Sequence, residues 1–159
     1  MKIKSLITPI GNFNSFYVNS LLVKLVYTDN LKSSYKSDLS LQKIMSKFFS
    51  KGGLRKIPEY SLQGTPFQLK LWSALMQIPR GQTESYSSLA SKIGFPRAAR
   101  AVGTACRLNP IPLLIPCHRA IKKDGSIGDF ALGKVNKGCL LYTSPSPRDL
   151  STSRMPSSA

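Results

Sequence analysis

The sequence predicts an α+β fold, in which a small N-terminal α/β unit precedes a mainly helical C-terminal part with a helix-turn-helix. Two early stretches are rich in β-branched and aromatic residues and are separated by polar ones, as in a hairpin. The apolar residues that follow recur close to every 3.6 positions, as in a helix. From Thr65 onward, residues that start and stop helices alternate at short intervals.

The N-terminal unit is predicted to span residues 1 to 57. Its hairpin strands are "FNSFYVNS" and "LLVKLVYT". Its helix lies in "LSLQKIMSKFF" and is expected to end at Gly52 and Gly53. The apolar face of this helix comprises Leu39, Leu41, Ile44, Met45, Phe48 and Phe49. Residues 58 to 63 carry a proline and few apolar side chains, which predicts a linker.

The second domain is predicted to span residues 64 to 138, beginning with a helix in "TPFQLKLWSALMQI". Thr65 is the expected cap, and Pro66 suits the first helical position. The buried stripe of this helix comprises Phe67, Leu71, Trp72, Leu75 and Ile78. "SYSSLASKIG" predicts a short second helix that Gly94 stops. The residues that it buries are Tyr86, Leu89, Ala90 and Ile93.

A third helix is predicted in "RAARAVGTACRLN", with small residues on one side and Arg97, Arg100 and Arg107 along it. Two short helices around a glycine-containing turn, the second of them basic, are the pattern of a helix-turn-helix. The pattern alone also occurs in proteins that bind no DNA. The net charge of +16, from 23 basic and 7 acidic side chains, favours a polyanionic partner, either nucleic acid or an anionic membrane surface.

The composition also bears on location and cofactors. No apolar run reaches the roughly 18 residues that a membrane span needs, and the start of the chain lacks the apolar core of a signal peptide. The three cysteines have neither disulfide-framework nor zinc spacing. We therefore expect a reducing cytoplasm or association with the nucleoid, and no metal or cofactor.

The stretch "NPIPLLIPCHRA" is punctuated by prolines. Pro110, Pro112 and Pro116 lack a backbone N–H, which excludes a regular helix or a central strand. On a strand, Cys117 and His118 would point to opposite faces, but after such a bend they need not. The next residues, "AIKKDGSIGDF", predict a hairpin that turns at Asp124-Gly125.

Cys117 is a candidate nucleophile. A thiol reacts as the thiolate, which nearby cations or a general base favour, and His118 and Arg119 adjoin it. The alternative is a buried structural cysteine beside a surface histidine, because free cysteine commonly packs as a small apolar residue. A cysteine protease is disfavoured, since its histidine is distant in sequence and this chain has only one.

The last residues, 139 to 159, are rich in serine, proline and threonine and have no periodic apolar face. Their sequence, "CLLYTSPSPRDLSTSRMPSSA", is what a transposase-type sequencing adapter with an internal barcode would encode. We therefore expect this segment not to be native protein and leave it out of the fold. The basic character of the chain remains without it.

The segment from Gly64 to Gly128 closely resembles the C-terminal domain of the O6-alkylguanine-DNA alkyltransferases, also called methylated-DNA–protein-cysteine methyltransferases. "NPIP" followed by "IPCHR" is the most specific part of the match. "TPIG" at residues 8 to 11 and the helix before the linker resemble the N-terminal domain of the family. For that domain the resemblance implies a shortened RNase H-like fold.

The resemblance implies a DNA-repair enzyme that flips O6-alkylguanine out of double-stranded DNA and moves the alkyl group onto its own cysteine, once and irreversibly. Cys117 would be the acceptor, and His118 the base that activates it through a water. Tyr86 would donate to the guanine and ease its departure as an anion. Arg100 would fill the gap left in the base stack.

The resemblance also implies how DNA is held. Asn109 would brace the turn that carries the site, and Phe130 would line the alkyl pocket. The recognition helix would enter the minor groove, where small residues permit close approach, so that binding depends on shape, phosphates and salt. These small residues are Ala98, Ala99, Ala101 and Gly103, and the further expected contacts are Arg107 and Arg119. A monomer without a membrane partner is expected.

One feature of the family is not matched. Its members place on a closing helix a glutamate that orients the histidine, and here Ser144 falls near that position. Two alternatives therefore stay open. The first is a non-catalytic binder of alkylated DNA, against which Cys117 argues. The second is a basic helix-turn-helix regulator, which would bind a specific sequence without thiol chemistry.

Overall fold

Two compact units, Met1–Leu62 and Gln63–Ala159, make up the chain in a computed structural model that describes residues 1–50 and 57–126. These described residues contain one three-stranded sheet, one two-stranded pair and four α-helices. The predicted mixed class of helices and strands is confirmed.

The first unit is built on an antiparallel sheet of β1 (Lys2–Thr8), β2 (Gly11–Val18) and β3 (Leu21–Thr28), in that order. The predicted hairpin is confirmed as β2 and β3, which turn through Asn19 and Ser20 at φ values of 50° and 65°. Positive φ at both central residues gives the tight turn that matches the twist of the two strands. β1 was not predicted.

Helix α1 (Leu39–Phe48) packs beside β1 and confirms the predicted helix. It buries Leu41, Met45 and Phe48, whereas Leu39 is 71% exposed. Leu39, one of the apolar residues from which the helix was predicted, stands at the first helical position, before the buried face begins. The helix already ends at Phe48, and the glycines expected to end it lie outside the described residues.

The start of α1 depends on Asp38, whose carboxylate is fully buried. One oxygen accepts hydrogen bonds from the hydroxyls of Ser15 (2.5 Å) and Tyr17 (2.6 Å), and the other accepts from the backbone N–H of Leu41 (3.2 Å). The ammonium group of Lys4 lies 3.9 Å away. Burial and the neighbouring carboxylate raise the pKa of Tyr17 far above its usual value, so its hydroxyl remains a donor at all ordinary pH values.

The predicted linker, residues 58 to 63, is partly tied to the sheet. The N–H of Leu22 donates to the carbonyl of Glu59, and the N–H of Ser61 donates to the carbonyl of Leu22, both at 3.0 Å. These two bonds pair the edge of β3 near its start, where its backbone N–H and C=O groups would otherwise be open to another strand.

The second unit begins with α2 (Pro66–Leu75), which has the predicted cap. The Thr65 hydroxyl accepts from the N–H of Gln68 at 3.2 Å, and the Gln68 side chain accepts from the N–H of Thr65 at 3.0 Å. This reciprocal pair satisfies two N–H groups at the helix start. Leu71, Trp72 and Leu75 are buried, and the Trp72 indole donates to the carbonyl of Ala105 at 3.0 Å.

Two further helices, α3 (Tyr86–Lys92) and α4 (Ala99–Arg107), pack on α2 and on each other. Gly94, at a φ of 89°, ends the α3 segment as predicted. α4 is shorter at both ends than the predicted helix. Arg107 and Arg100 are exposed on α4, while Val102, Gly103, Ala105 and Cys106 are buried.

A short parallel pair, β4 (Glu84–Ser85) with β5 (Ala120–Ile121), joins the start of α3 to the residues after the proline-rich stretch. After β5 the chain turns at Asp124-Gly125 as predicted, with Gly125 at a φ of 87°. The returning half of that hairpin lies outside the described residues. Within residues 1–50 and 57–126, no helix is long and apolar enough to cross a membrane.

The cap of α1 makes a testable prediction. Replacing Asp38 with alanine removes the acceptor that caps the N–H of Leu41 and the carboxylate that binds the hydroxyls of Ser15 and Tyr17, and we expect a loss of about 2–4 kcal/mol in the stability of the first unit. Hydrogen exchange of the β1–β3 amides, followed by mass spectrometry, measures this loss. The control is Asp29→Ala at an exposed position. Equal exchange in the two variants would contradict the role of Asp38.

Candidate active site

Residues 109 to 116 form a buried turn that carries Cys117. Pro112 and Ile115 form an isolated bridge, and the N–H of Ile115 donates to the carbonyl of Ile111 at 3.1 Å. Between them Leu113 has a φ of 77°, in the left-handed region that residues with a Cβ rarely occupy. Every residue from 111 to 118 is buried. The turn is therefore part of the core and not a surface loop.

The side chain of Asn109 crosses this turn. Its Nδ2 donates to the carbonyl of Ile115 (2.9 Å) and to Sγ of Cys117 (3.1 Å), and its Oδ1 accepts from the N–H of Ile111 (3.0 Å). All three partners lie in the same buried turn. One carboxamide thus replaces the pairing that the prolines deny to the backbone.

Cys117 and His118 open a single 3₁₀ turn, Cys117–Arg119. Pro116, at φ −80° and ψ 62°, is the centre of an inverse γ-turn closed by a 2.8 Å bond from the Cys117 N–H to the Ile115 carbonyl. In a 3₁₀ helix successive side chains are about 120° apart around the axis, so the two do not point in opposite directions. Both side chains have no exposed surface.

Arg119 anchors the end of the 3₁₀ turn. Its Nη1 donates to the carbonyl of Ile78, just beyond α2, at 3.1 Å. Burial, together with the charge of Arg80, lowers the pKa of Arg119 to about 10. The guanidinium therefore stays protonated at neutral pH and holds a positive charge two residues from the thiol. Sequence reasoning predicted Arg119 as a contact to DNA, and no signal in the sequence pointed to its bond with Ile78.

Tyr86 is the first residue of α3 and is 8% exposed. The preceding residue, Ser85, caps the helix by accepting from the N–H of Ser88 at 3.0 Å. Ser85 also pairs with Ile121 in the parallel β4–β5 pair. Because β5 follows the 3₁₀ turn directly, this pairing brings the start of α3 beside the segment that carries Cys117.

α4 presents a basic surface with small side chains. Arg97, Arg100 and Arg107 are exposed, as is Ala101, and Ala99 is half-buried. A groove of about 540 Å³ runs between the start of α2 and this face. Its walls include Gln68, Arg97, Arg100, Ala101 and Thr104.

Gly103 was predicted among the small residues that permit close approach to DNA, and the structure places it elsewhere. It is buried and faces the ring of Tyr86. The reason is helical geometry, since positions 102, 103, 105 and 106 form the inner side of α4. Ala98, Ala99 and Ala101 retain some exposure.

Two predicted features cannot be located. Phe130 and the segment 139 to 159, with Ser144, lie outside the described residues. Cys106 is fully buried on the inner side of α4 and forms no disulfide. In the part of the chain that the structure describes, no group of three His, Cys, Asp or Glu side chains is arranged to hold a metal ion.

Residues 66–143 match the family model described as "6-O-methylguanine DNA methyltransferase, DNA binding domain". A probable methylated-DNA–protein-cysteine methyltransferase of Acanthamoeba polyphaga mimivirus is 34% identical over 89% of this chain and 95% of its own length. A methylated-DNA–protein-cysteine methyltransferase of Methanosarcina barkeri is 37% identical over 74% of this chain and 82% of its own. The crystal structure of Mycobacterium tuberculosis OGT in complex with DNA superposes with a TM-score of 0.79, at 31% identity, over 94% of this chain and 99% of that one.

The Asn109 network makes the second prediction. Asn109→Ala leaves the buried N–H of Ile111 without its acceptor and removes one of the two hydrogen bonds to the Ile115 carbonyl, so we expect the second unit to lose about 1–3 kcal/mol of stability. Urea denaturation followed by the fluorescence of Trp72, the single tryptophan, measures this unit. Gln77→Ala removes an exposed amide from the same unit and should change stability by less than about 0.5 kcal/mol. A similarly small effect of Asn109→Ala would refute the bracing role.

Proposed function

The chain belongs to the methylated-DNA–protein-cysteine methyltransferase family, and we propose that Cys117 is the cysteine onto which it transfers an alkyl group from O6-alkylguanine in DNA. The observation that carries this assignment is the buried thiol of Cys117, held by Asn109 in a proline-locked turn with His118 beside it. The other cysteine of the described residues, Cys106, lies on the inner side of α4 and has no histidine next to it in sequence.

The reaction needs no cofactor, because the DNA supplies the alkyl group and the protein accepts it. The Cys117 thiolate attacks the alkyl carbon, a sulfur–carbon bond forms, and the carbon–O6 bond breaks with its electron pair left on the guanine. His118 takes the thiol proton through a water, and the Tyr86 hydroxyl donates to the departing guanine. The thioether is not hydrolysed, so each molecule reacts once.

The surroundings of the thiol suit this role. The Asn109 amide donates to Sγ, and such a bond is stronger to a thiolate than to a thiol. Arg119, two residues further along the chain, is a largely desolvated cation, and a positive charge has a longer reach in such surroundings than in water. Its bond to Ile78 and its burial favour a role in holding the 3₁₀ turn over a direct contact to DNA.

We propose that DNA lies against the exposed face of α4. In this proposal α3, the Gly94 turn and α4 act as a helix-turn-helix whose second helix enters the minor groove. Ala99 and Ala101 allow the close approach, Arg107 contacts phosphate, and Arg100 enters the stack in place of the flipped base. The large positive charge of the chain supports phosphate contacts that are independent of sequence.

The remaining predictions complete the proposal. The first unit corresponds to a shortened RNase H-like domain, and Phe130 lines the alkyl pocket. The protein acts as a monomer, in the cytoplasm or on the nucleoid, where Cys106 and Cys117, neither of which forms a disulfide, stay reduced. A non-catalytic lesion binder is not favoured, because the chain retains a cysteine at position 117.

The acceptor is tested by incubating the full chain with a duplex that contains one O6-methylguanine. We expect one added methyl group on the peptide that holds Cys117, none with undamaged DNA, and none in Cys117→Ala. Peptide mass spectrometry makes the measurement. Cys106→Ala is the matched control, since it removes the other buried thiol and should still be methylated. A methyl group on any other residue, or transfer by Cys117→Ala, would overturn the assignment.

The two exposed arginines of α4 are expected to differ. Arg100→Ala should slow methyl transfer by about tenfold or more while changing duplex affinity little, because the flipped state loses the side chain that stabilises it. Arg107→Ala should weaken binding to every duplex and reduce the slope of log affinity against log salt by about one. Single-turnover kinetics and a salt titration separate the two. Identical behaviour of both variants would argue against Arg100 as the residue that enters the stack.

A further inference from the structure

α4 has a glycine at its centre. Gly103 lies midway in Ala99–Arg107, and alanine would be a better helix former at such a position. A glycine is needed where φ is positive, but Gly103 belongs to the regular helix and is not among the residues with positive φ. The backbone conformation therefore does not explain why a glycine stands at this position, and the explanation must lie in its buried surroundings.

Those surroundings are one edge of the Tyr86 ring. A Cβ added to Gly103 would lie 3.3 Å from Cε2, 3.6 Å from Cδ2 and 3.9 Å from Cζ of that ring. The shortest of these distances is tighter than nine in ten real Cβ contacts, so the ring or the helix would have to move by a few tenths of an ångström. Cζ carries the hydroxyl, so such a movement displaces the hydroxyl as well.

The backbone of Tyr86 cannot readily absorb the movement. It follows directly on Glu84 and Ser85, which pair with Ala120 and Ile121. The Ser85 cap fixes the first turn of α3 as well. The main chain of Tyr86 is thus held by β5, which follows the turn that carries Cys117. The distance between α3 and α4 then determines where the Tyr86 ring lies.

We propose that Gly103 is a positioning residue, which lets the Tyr86 ring pack directly on the backbone of α4 and so places its hydroxyl at the guanine. This rests on the proposed role of Tyr86 as donor to that base. Gly103 itself touches no DNA. Its effect on the reaction passes through Tyr86.

The test is a double-mutant cycle in the full chain, with Gly103→Ala and Tyr86→Phe alone and together. Gly103→Ala should slow methyl transfer to Cys117 about fivefold, since misplacement by 1 Å costs on the order of a hundredfold and this shift is smaller. In the Tyr86→Phe background, where the hydroxyl is already absent, it should cause no further slowing. Affinity for undamaged duplex should not change. Ser91→Ala, at an exposed position on α3, controls for an added alanine and should leave the rate unchanged.

A second double-mutant cycle tests the packing of Gly103 against Tyr86 by stability alone, without a measurement of activity. Gly103→Ala should raise the urea midpoint in the Tyr86→Ala background, where the added methyl group has space, and should not raise it in the parent chain.

Three results would overturn the proposal. In the first, the slowing of methyl transfer by Gly103→Ala is the same with and without Tyr86→Phe, so the two effects multiply. In the second, Gly103→Ala weakens binding to undamaged duplex as much as it slows transfer. In the third, Gly103→Ala shifts the urea midpoint equally in the parent chain and in the Tyr86→Ala background. A parent chain that leaves Cys117 unmethylated would instead refute the proposed function. The stability cycle would then decide by itself whether Gly103 sets the place of the ring.

Discussion

The carboxamide of Asn109 is the interaction on which the site depends. The sequence around Cys117 contains three prolines in seven residues, so this segment cannot form a helix or a strand that would fix the thiol by regular pairing. A single side chain with both a donor and an acceptor supplies that order, since it binds the turn at Ile111 and Ile115 and reaches Sγ of Cys117 at the same time. The bonds that hold the turn and the bond that reaches the proposed nucleophile therefore come from the same side chain. Any change that frees the turn also changes the environment of the thiol.

Charge is distributed differently in the two units. In the first unit a buried carboxylate, Asp38, gathers hydroxyl donors from β2 and caps α1, which is a structural use of an ion with all its partners provided. In the second unit Arg119 is a partly buried cation, and the charge that lowers its pKa, that of Arg80, is also positive. Holding that guanidinium charged costs stability, and the cost is consistent with the proposed site, which would use positive potential near a thiolate.

Much of this architecture follows from local sequence rules. The cap at Thr65, the stop at Gly94 and the period of α1 each depend on a few neighbouring residues, so they could be predicted. β1 could not be predicted, because Lys2 and Lys4 lie on the same face of the strand as the buried Leu6. Two charged residues on that face break the alternation of apolar and polar residues expected of a half-buried strand. The β4–β5 pair is two residues long and joins positions 36 apart, so no local pattern reveals it. Cys117, His118 and Asn109 came from the family resemblance together with the proline pattern. That Gly103 points inward could not be predicted, because this depends on how α4 is rotated about its own axis relative to α3.

Leu113, in the turn of residues 109 to 116, is a position where few residue types fit. At a φ of 77° a leucine carries backbone strain of about 1–2 kcal/mol that a glycine would relieve. Yet its side chain is completely buried, and removing it would leave a cavity that costs about 2–5 kcal/mol. The cost of the cavity exceeds the strain, so leucine is favoured, and no ordinary residue satisfies both demands. Substitutions at this position are therefore unfavourable in either direction, so the position is expected to accept very few other residues.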